Sequence, residues 1–249
     1  MRRQRKRPGG TRASRGFLAK VDRLLAHLGK VAARREWARL RTTGVSSYRG
    51  LLGLARDERA DPDLRSTAYW LLARLAGRAR DSVLLAAMHD ARSEIRTAAA
   101  QGLGTAGSRG AVAPLVGALA ADGEKAVRQA AAHALGLLGR RRAVPALIAT
   151  LRSPTEDPRV RGMAAESLGT LGDPRGLRPL VAALDDSSRE VRYWAAFALG
   201  ELGDPRALPG LRRLGARSAT LPARASPMTE ARAAIRRIKA KARSRGHDS

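Results

Sequence analysis

A phased repetition limits what this chain can fold into. "LRSTAYWLLARLAG" begins at Leu64, "IRTAAAQGLGTAG" at Ile95, "VRQAAAHALGLLG" at Val127, "VRGMAAESLGTLG" at Val160 and "VRYWAAFALGELG" at Val191. The steps are 31, 32, 33 and 31 residues. Repeats of that length bury their apolar faces by stacking on their neighbours, so the chain is expected to form an array rather than one closed core. The residues are 44% hydrophobic but only 3% aromatic, which leaves Ala and Leu to build the interior. That composition favours helices over strands. The expected fold class is all-α, a stack of five to six helical hairpins.

Each copy carries its own physical explanation. In the copy that starts at Val127, residues Val127, Ala131, Ala134, Leu135 and Leu138 recur at helical spacing and form one apolar stripe. Gly104, Gly136, Gly169 and Gly200 lie inside that helix, where Gly costs about 1 kcal/mol relative to Ala. A cost repeated at one place predicts close approach of a neighbouring helix. Gly107, Gly139, Gly172 and Gly203 follow the last apolar residue and read as left-handed helix stops. "DPR" then turns the chain at 173–175 and 204–206. Pro114, Pro145, Pro179 and Pro209 fall near the start of a second helix, where a missing N–H is tolerated. "VPALIATL" (144–151) and "LVAAL" (180–184) complete that helix. An acidic loop such as "DARSE", "ADGEK", "EDP" or "DDSSRE" leads to the next copy. Arg65, Arg96, Arg128, Arg161 and Arg192, one residue after each start, are expected to tie these loops to the helices.

The consensus V-R-x-x-A-A-x-A-L-G-x-L-G-D-P-R-A-V-P-A-L resembles the short HEAT-like repeats of phycobilisome lyases and their relatives over about residues 60–215. The resemblance implies an α-α superhelix of HEAT-like, armadillo-type hairpins. It implies little about activity, because such repeats serve bilin lyases, a di-iron protein hydroxylase and scaffold proteins. The hydroxylases carry His-Glu pairs at the two positions after "VR". Here those positions read Ser66-Thr67, Thr97-Ala98, Gln129-Ala130, Gly162-Met163 and Tyr193-Trp194. None offers the N/O ligands that iron needs, so the hydroxylase chemistry is not expected.

Around the repeats the expected organisation is a disordered basic tail (1–16), an N-terminal capping helix with a degenerate first repeat (17–63), five repeats (64–218), a C-terminal capping helix (226–240) and a second disordered basic tail (241–249). In the leading segment Phe17, Val21, Leu24, Leu25, Leu28 and Val31 share one helical face, and "SSYRGLLGLARDE" (46–58) reads as a further helix. Ser226 can cap the last helix with Pro227 in its first turn. Met228, Ala231, Ala234, Ile235 and Ile238 then continue the stripe.

The net charge of +26 is concentrated at the ends. Residues 1–49 carry +13, residues 50–211 only +4, and residues 212–249 carry +9. Coding bias explains why only 6 of 48 basic residues are Lys, but not why acids vanish at both ends. There is no Cys, so disulfides, thiolate metal sites and cysteine nucleophiles are excluded. No apolar run reaches membrane-span length, and the N-terminus lacks the apolar core of a secretory signal. No HExxH, GxSxG or phosphate-cradling glycine loop is present. His133 shares a column with Trp70, Gln101, Glu166 and Phe197. Five unrelated residue types in one column read as a solvent or groove position, not as a ligand set.

Two sets of residues are candidates for binding. Trp70, Tyr193, Trp194 and Phe197 form the first, read either as a sticky patch on a solenoid groove or as packing against the C-terminal half-repeat or the 215–226 linker. The second is a polyanion set. It comprises the turn residues Arg80, Arg109, Arg142, Arg175 and Arg206 together with Arg236, Arg237 and Lys239 near the C-terminus. The turn residues would form a ladder along one rim, diluted by Asp81, Asp173 and Asp204. The leading expectation is a non-enzymatic, monomeric, cytoplasmic scaffold that binds a macromolecular partner, with no catalytic residue, cofactor or metal. The alternative is a nucleic-acid- or ribosome-associated protein gripping through its cationic ends. A bilin lyase subunit is a third reading, on the resemblance alone.

Overall fold

The computed structural model describes residues 12–28, 31–75, 80–216 and 226–245. Every regular element among them is helical. In chain order they are α1 (Arg12–Leu28), α2 (Val31–Thr42), α3 (Tyr48–Arg56), α4 (Pro62–Arg74), α5 (Arg80–Ala87), α6 (Ser93–Ala106) and α7 (Val112–Ala121). There follow α8 (Lys125–Leu138), α9 (Val144–Arg152), α10 (Pro158–Leu171), α11 (Leu177–Ala183), α12 (Arg189–Leu202), α13 (Leu208–Ala216) and α14 (Pro227–Arg245). The five sequence repeats fall on α4–α5, α6–α7, α8–α9, α10–α11 and α12–α13. Each sequence start (Leu64, Ile95, Val127, Val160, Val191) is the third residue of its helix. The first turn is supplied by what precedes it, as where Asp157 caps the Arg159 amide at 2.9 Å ahead of Pro158. The chain forms two compact units, Met1–Gly102 and Leu103–Ser249, with the boundary inside α6.

In the first unit, the leading segment is two helices, whereas its sequence pattern predicts one continuous apolar face. Trp37 of α2 is buried, meets Phe17 of α1 edge-on at 6.3 Å between ring centres, and donates its indole N–H to Asp22 at 2.8 Å. The helical period alone does not register this fold-back. Val21 is buried, and the side chains of Leu24, Leu25, Leu28 and Val31 lie outside the described residues. Ser47 caps α3 through the Gly50 amide at 3.1 Å. Helix also extends further into both ends than expected. α1 starts at Arg12 rather than near Phe17, and α14 runs to Arg245 rather than 240. Basic residues have fair helix propensity, and a packed helix carries them along. The remaining tail residues, 1–11 and 246–249, lie outside the described set.

The second unit is a two-layer array. The long helices α8, α10, α12 and α14 pack on one another in succession, and the short helices α7, α9 and α11 form the other layer. The recurring glycines set the spacing of the long layer. A Cβ on Gly104 would lie 2.7 Å from Ala134 Cα, and one on Gly169 would lie 2.7 Å from Ala198 Cα. At Gly136 it would meet Ser167 Cα at 3.2 Å, and at Gly200 Ala234 Cα at 3.0 Å. Each glycine therefore faces a small residue of the next helix, backbone against backbone. Ser167 uses the proximity to donate to the Ala132 carbonyl at 2.8 Å. The helix-stop glycines adopt left-handed φ of +67° (Gly107), +65° (Gly139), +62° (Gly172) and +69° (Gly203). Only glycine takes such values without strain.

Arginines hold the loops. Arg65, only 3% exposed, donates to Asp90 at 2.6 Å and to the Ala55 carbonyl at 3.3 Å. Arg96 then takes the Asp90 carbonyl at 3.0 Å. In the second unit the pattern returns: buried Arg161 pairs with the Asp186 carboxylate, and Arg192 binds the Asp186 and Ser187 carbonyls at 2.6 and 2.8 Å. Arg128 does both, gripping Glu156 with two bonds of 2.8 Å and the Asp122 and Gly123 carbonyls at 2.8 and 3.1 Å. At the DPR turns Asp173 accepts the Arg175 amide at 3.0 Å and the Arg175 side chain at 2.9 Å. Asp204 and Arg206 repeat the arrangement.

These interactions shift the carboxyls. The Arg175 guanidinium holds Asp173, which is 3% exposed, down to about 2. Arg128 lowers Glu156, and Arg206 lowers Asp204. Burial pushes Asp90 up, but the Arg92 amide and Arg65 together outweigh it and leave its carboxyl below the ordinary value.

Substitution separates the seam glycines from the rest. Gly169→Ala should destabilise the protein by about 1–3 kcal/mol, because the methyl meets backbone that must move. Gly117→Ala, in α7 with nothing within 4 Å of the new methyl, should instead stabilise by about 0.5–1 kcal/mol. Urea unfolding of both variants checks the contrast. Because the folded carboxyls titrate below their unfolded values, their contribution is complete above about pH 4.5 and is lost as pH falls toward about 2. The melting temperature should drop through that window. Asp173→Asn should melt lower at pH 7 and lose less of its stability on acidification than the parent.

Candidate functional site

The aromatic candidates are divided between the two units. In the first unit Trp70 is half-buried under its own helix's Arg74, whose guanidinium lies 4.0 Å from the ring centre. Burial lowers the pKa of Arg74. In the second unit Tyr193, Trp194 and Phe197 form a continuous edge-to-face row on α12, with ring centres 5.2 Å and 5.7 Å apart. All three are half-buried. Tyr193 and Phe197 lie on the side of α12 away from its buried stripe of Val191, Ala195, Ala198 and Leu199, whereas Trp194, three residues after Val191 and four before Ala198, lies at the edge of that stripe.

The three rings do different things. Phe197 lies beneath Arg237 of α14, 5.3 Å from the guanidinium carbon, and so serves the C-terminal packing. Trp194 reaches across to α10, where a methyl on Gly162 would come within 2.8 Å of its Cδ1. In the sequence that glycine reads only as a position lacking His or Glu; its smallness makes room for the indole. Tyr193 lines an open apolar recess of about 310 Å³ with Arg189, Glu190 and Pro227. Two further groups occupy this side of the long layer. Glu166 of α10 is half-buried, which pushes its carboxyl up, with neighbouring His133 of α8 pulling it down. Leu137 of α8 is 50% exposed, unusual for a large apolar side chain in this fold. Column arithmetic places His133 beside Glu166. It gives no sign of Leu137, which sits in a column with Thr105, Thr170 and Glu201.

The polyanion candidates also separate. Arg175 and Arg206 are chelated by Asp173 and Asp204, and Arg80 donates to Asp81 at 2.9 Å. Arg109 and Arg142 are exposed. Arg237 turns inward: it bonds Glu230, approaches Glu201 at 3.5 Å and covers Gly200, which has no side chain to keep it out. Arg236 and Lys239 point away from the packed face and are exposed. Ser226 caps α14 through the Thr229 amide at 3.1 Å, and Ala231, Ala234 and Ile238 bury its inner side. Among the described residues no group of three or more His, Cys, Asp or Glu could hold a metal ion. No described helix is long and apolar enough to cross a membrane.

No curated protein matches the sequence. Among solved structures an engineered protein is 20% identical, with 78% of this chain and 98% of that one covered at a TM-score of 0.55. A designed armadillo repeat protein in complex with the peptide (KR)4 is also 20% identical, with coverages of 76% and 98% and a TM-score of 0.53. At these identities the similarity concerns the fold alone. The complex of CpcE and CpcF of phycocyanin lyase from Nostoc sp. PCC7120 is 19% identical over 96% of this chain and 98% of that one, at a TM-score of 0.48. The sequence profile of HEAT repeats matches residues 48–136, 82–157 and 144–226, which together span well over half of the chain. With paired helices, glycine seams and helix stops at that period, the chain belongs to the HEAT-repeat family.

Proposed function

We propose that the protein is a non-enzymatic scaffold that binds an extended peptide segment of a protein partner on the outer side of its long-helix layer in the second unit. The observation that carries this reading is the row of half-buried aromatics on α12 with the apolar recess at Tyr193. The core of the array is aliphatic, mostly Ala, Leu and Val, and Trp194, Tyr193 and Leu137 stand outside it. Large side chains left part-covered on a surface are what binding hot spots are made of. Tyr193 and Pro227 offer a slot for one apolar anchor. Backbone groups of an extended segment could meet His133 and Glu166 alongside. A designed repeat protein of similar fold was solved with a peptide bound, which supports a peptide as the kind of occupant and says nothing of its sequence. The varied residue types along the surface columns favour adaptable contact over a fixed catalytic set.

The test is selection of binders from a random peptide library on the intact protein, with Tyr193→Ala and Trp194→Ala as competitors. Peptides carrying an apolar or aromatic anchor should be enriched and should lose affinity about tenfold or more on either variant, the usual range for truncating a hot spot. Failure to enrich any peptide, or equal binding to both variants and the parent, would overturn the reading.

A further inference from the structure

We propose that the outward face of α14 is a docking surface for the phosphodiester backbone of double-stranded nucleic acid. The turn arginines look like the natural ladder for a polyanion, but in the second unit Arg175 and Arg206 are held by Asp173 and Asp204 two residues away. The helix beyond them is different. Arg232, Arg236 and Lys239 are spaced by four and three residues, so they share one helical face, and all three are exposed. At 1.5 Å per residue this line of charge is about 10 Å long. Arg232 donates to the Gly215 carbonyl at 2.9 Å, and Lys241 beside the line donates to the Glu201 carbonyl at 2.7 Å. Both acceptors are neutral, so these bonds orient the side chains without cancelling their charge. The one carboxylate on α14, Glu230, is already bonded to Arg237. Arg212 of the adjoining α13 is exposed as well.

The chemistry of the face selects the partner. A membrane-surface helix must bury an apolar side in lipid, whereas Ala231, Ala234 and Ile238 of α14 are fully buried in the protein against α12 and α13. A protein interface has an apolar or aromatic centre, and this stripe has none. What remains is a row of cations on a rigid support. Duplex DNA presents one negative charge per about 1.7 Å of axis, so the stripe spans several phosphates at once. Binding of this kind positions without reading bases.

The experiment measures affinity of the full-length protein for a duplex of about 20 base pairs across a salt series, long enough to cover the stripe several times over. The variant R236Q/K239Q is compared with the turn variant R109Q/R142Q, and circular dichroism checks that both stay helical. The stripe variant should bind at least about tenfold more weakly at low salt. Its slope of log affinity against log salt should be shallower by about 1.8, at roughly 0.9 for each phosphate that its two missing cations no longer neutralise. The turn variant should match the parent. The proposal is overturned if the parent does not bind duplex at low salt, if the stripe variant keeps the parental slope, or if both variants weaken alike. Equal stripe-dependent binding to poly-glutamate or to anionic lipid vesicles would also overturn it, by showing attraction to any anionic surface.

Discussion

In the second unit, consecutive long helices touch backbone to backbone, and this contact sets the geometry of everything around it. Gly104 faces Ala134, Gly136 faces Ser167, Gly169 faces Ala198 and Gly200 faces Ala234, each with no room for a methyl group. Small residues at the seam bring the helix axes together and let the larger Val and Leu side chains interlock on the inner side, where Val127, Leu135, Val160, Leu168, Val191 and Leu199 are all at most 1% exposed. Because every interior Gly carries a propensity cost, the seam stabilises only when the neighbour is present. Stability is thereby spread along the array in nearest-neighbour increments.

Such an array needs its loops held in register, and charge does this. Asp90 and Asp186 are each used twice, by carboxylate to one repeat's arginine and by carbonyl to the next. Burying Arg65 and Arg161 is costly unless every partner is in place, so these bonds penalise a slipped register more than they add to net stability. The DPR turns follow the same logic. There the carboxylate caps the turn backbone and neutralises the arginine that follows, leaving little field outside.

Beyond core, seam and loops, the described residues of the second unit offer two candidate surfaces. One is the aromatic row on α12, where Trp194 is seated by Gly162 and Tyr193 opens toward Pro227. The other is the cationic side of α14, whose inner side completes the array. The two sites differ in kind: the first offers an apolar slot beside an aromatic row, the second charge with no slot. They suit different partners and do not compete for the same residues.

The helical class, the repeat period, the apolar stripe, the left-handed stops and the close approach at the glycine column can all be read from the residues in order. Each is local or strictly periodic, so a helical wheel and a column alignment suffice. The loop arginines are legible for the same reason, since their partners recur at the same offset. Which surface residues are already engaged is a different matter, settled by packing between helices. Arg237 and Lys239 look alike in "RRIKAK", yet one lies on Phe197 between Glu201 and Glu230 while the other faces solvent. Trp37, Trp194 and Leu137 likewise carry no periodic signal, and their surroundings turn on a fold-back, a glycine on the next helix and an unfilled position in a column. A side chain's availability depends on what the neighbouring helix presents at the same height, and no single repeat encodes that.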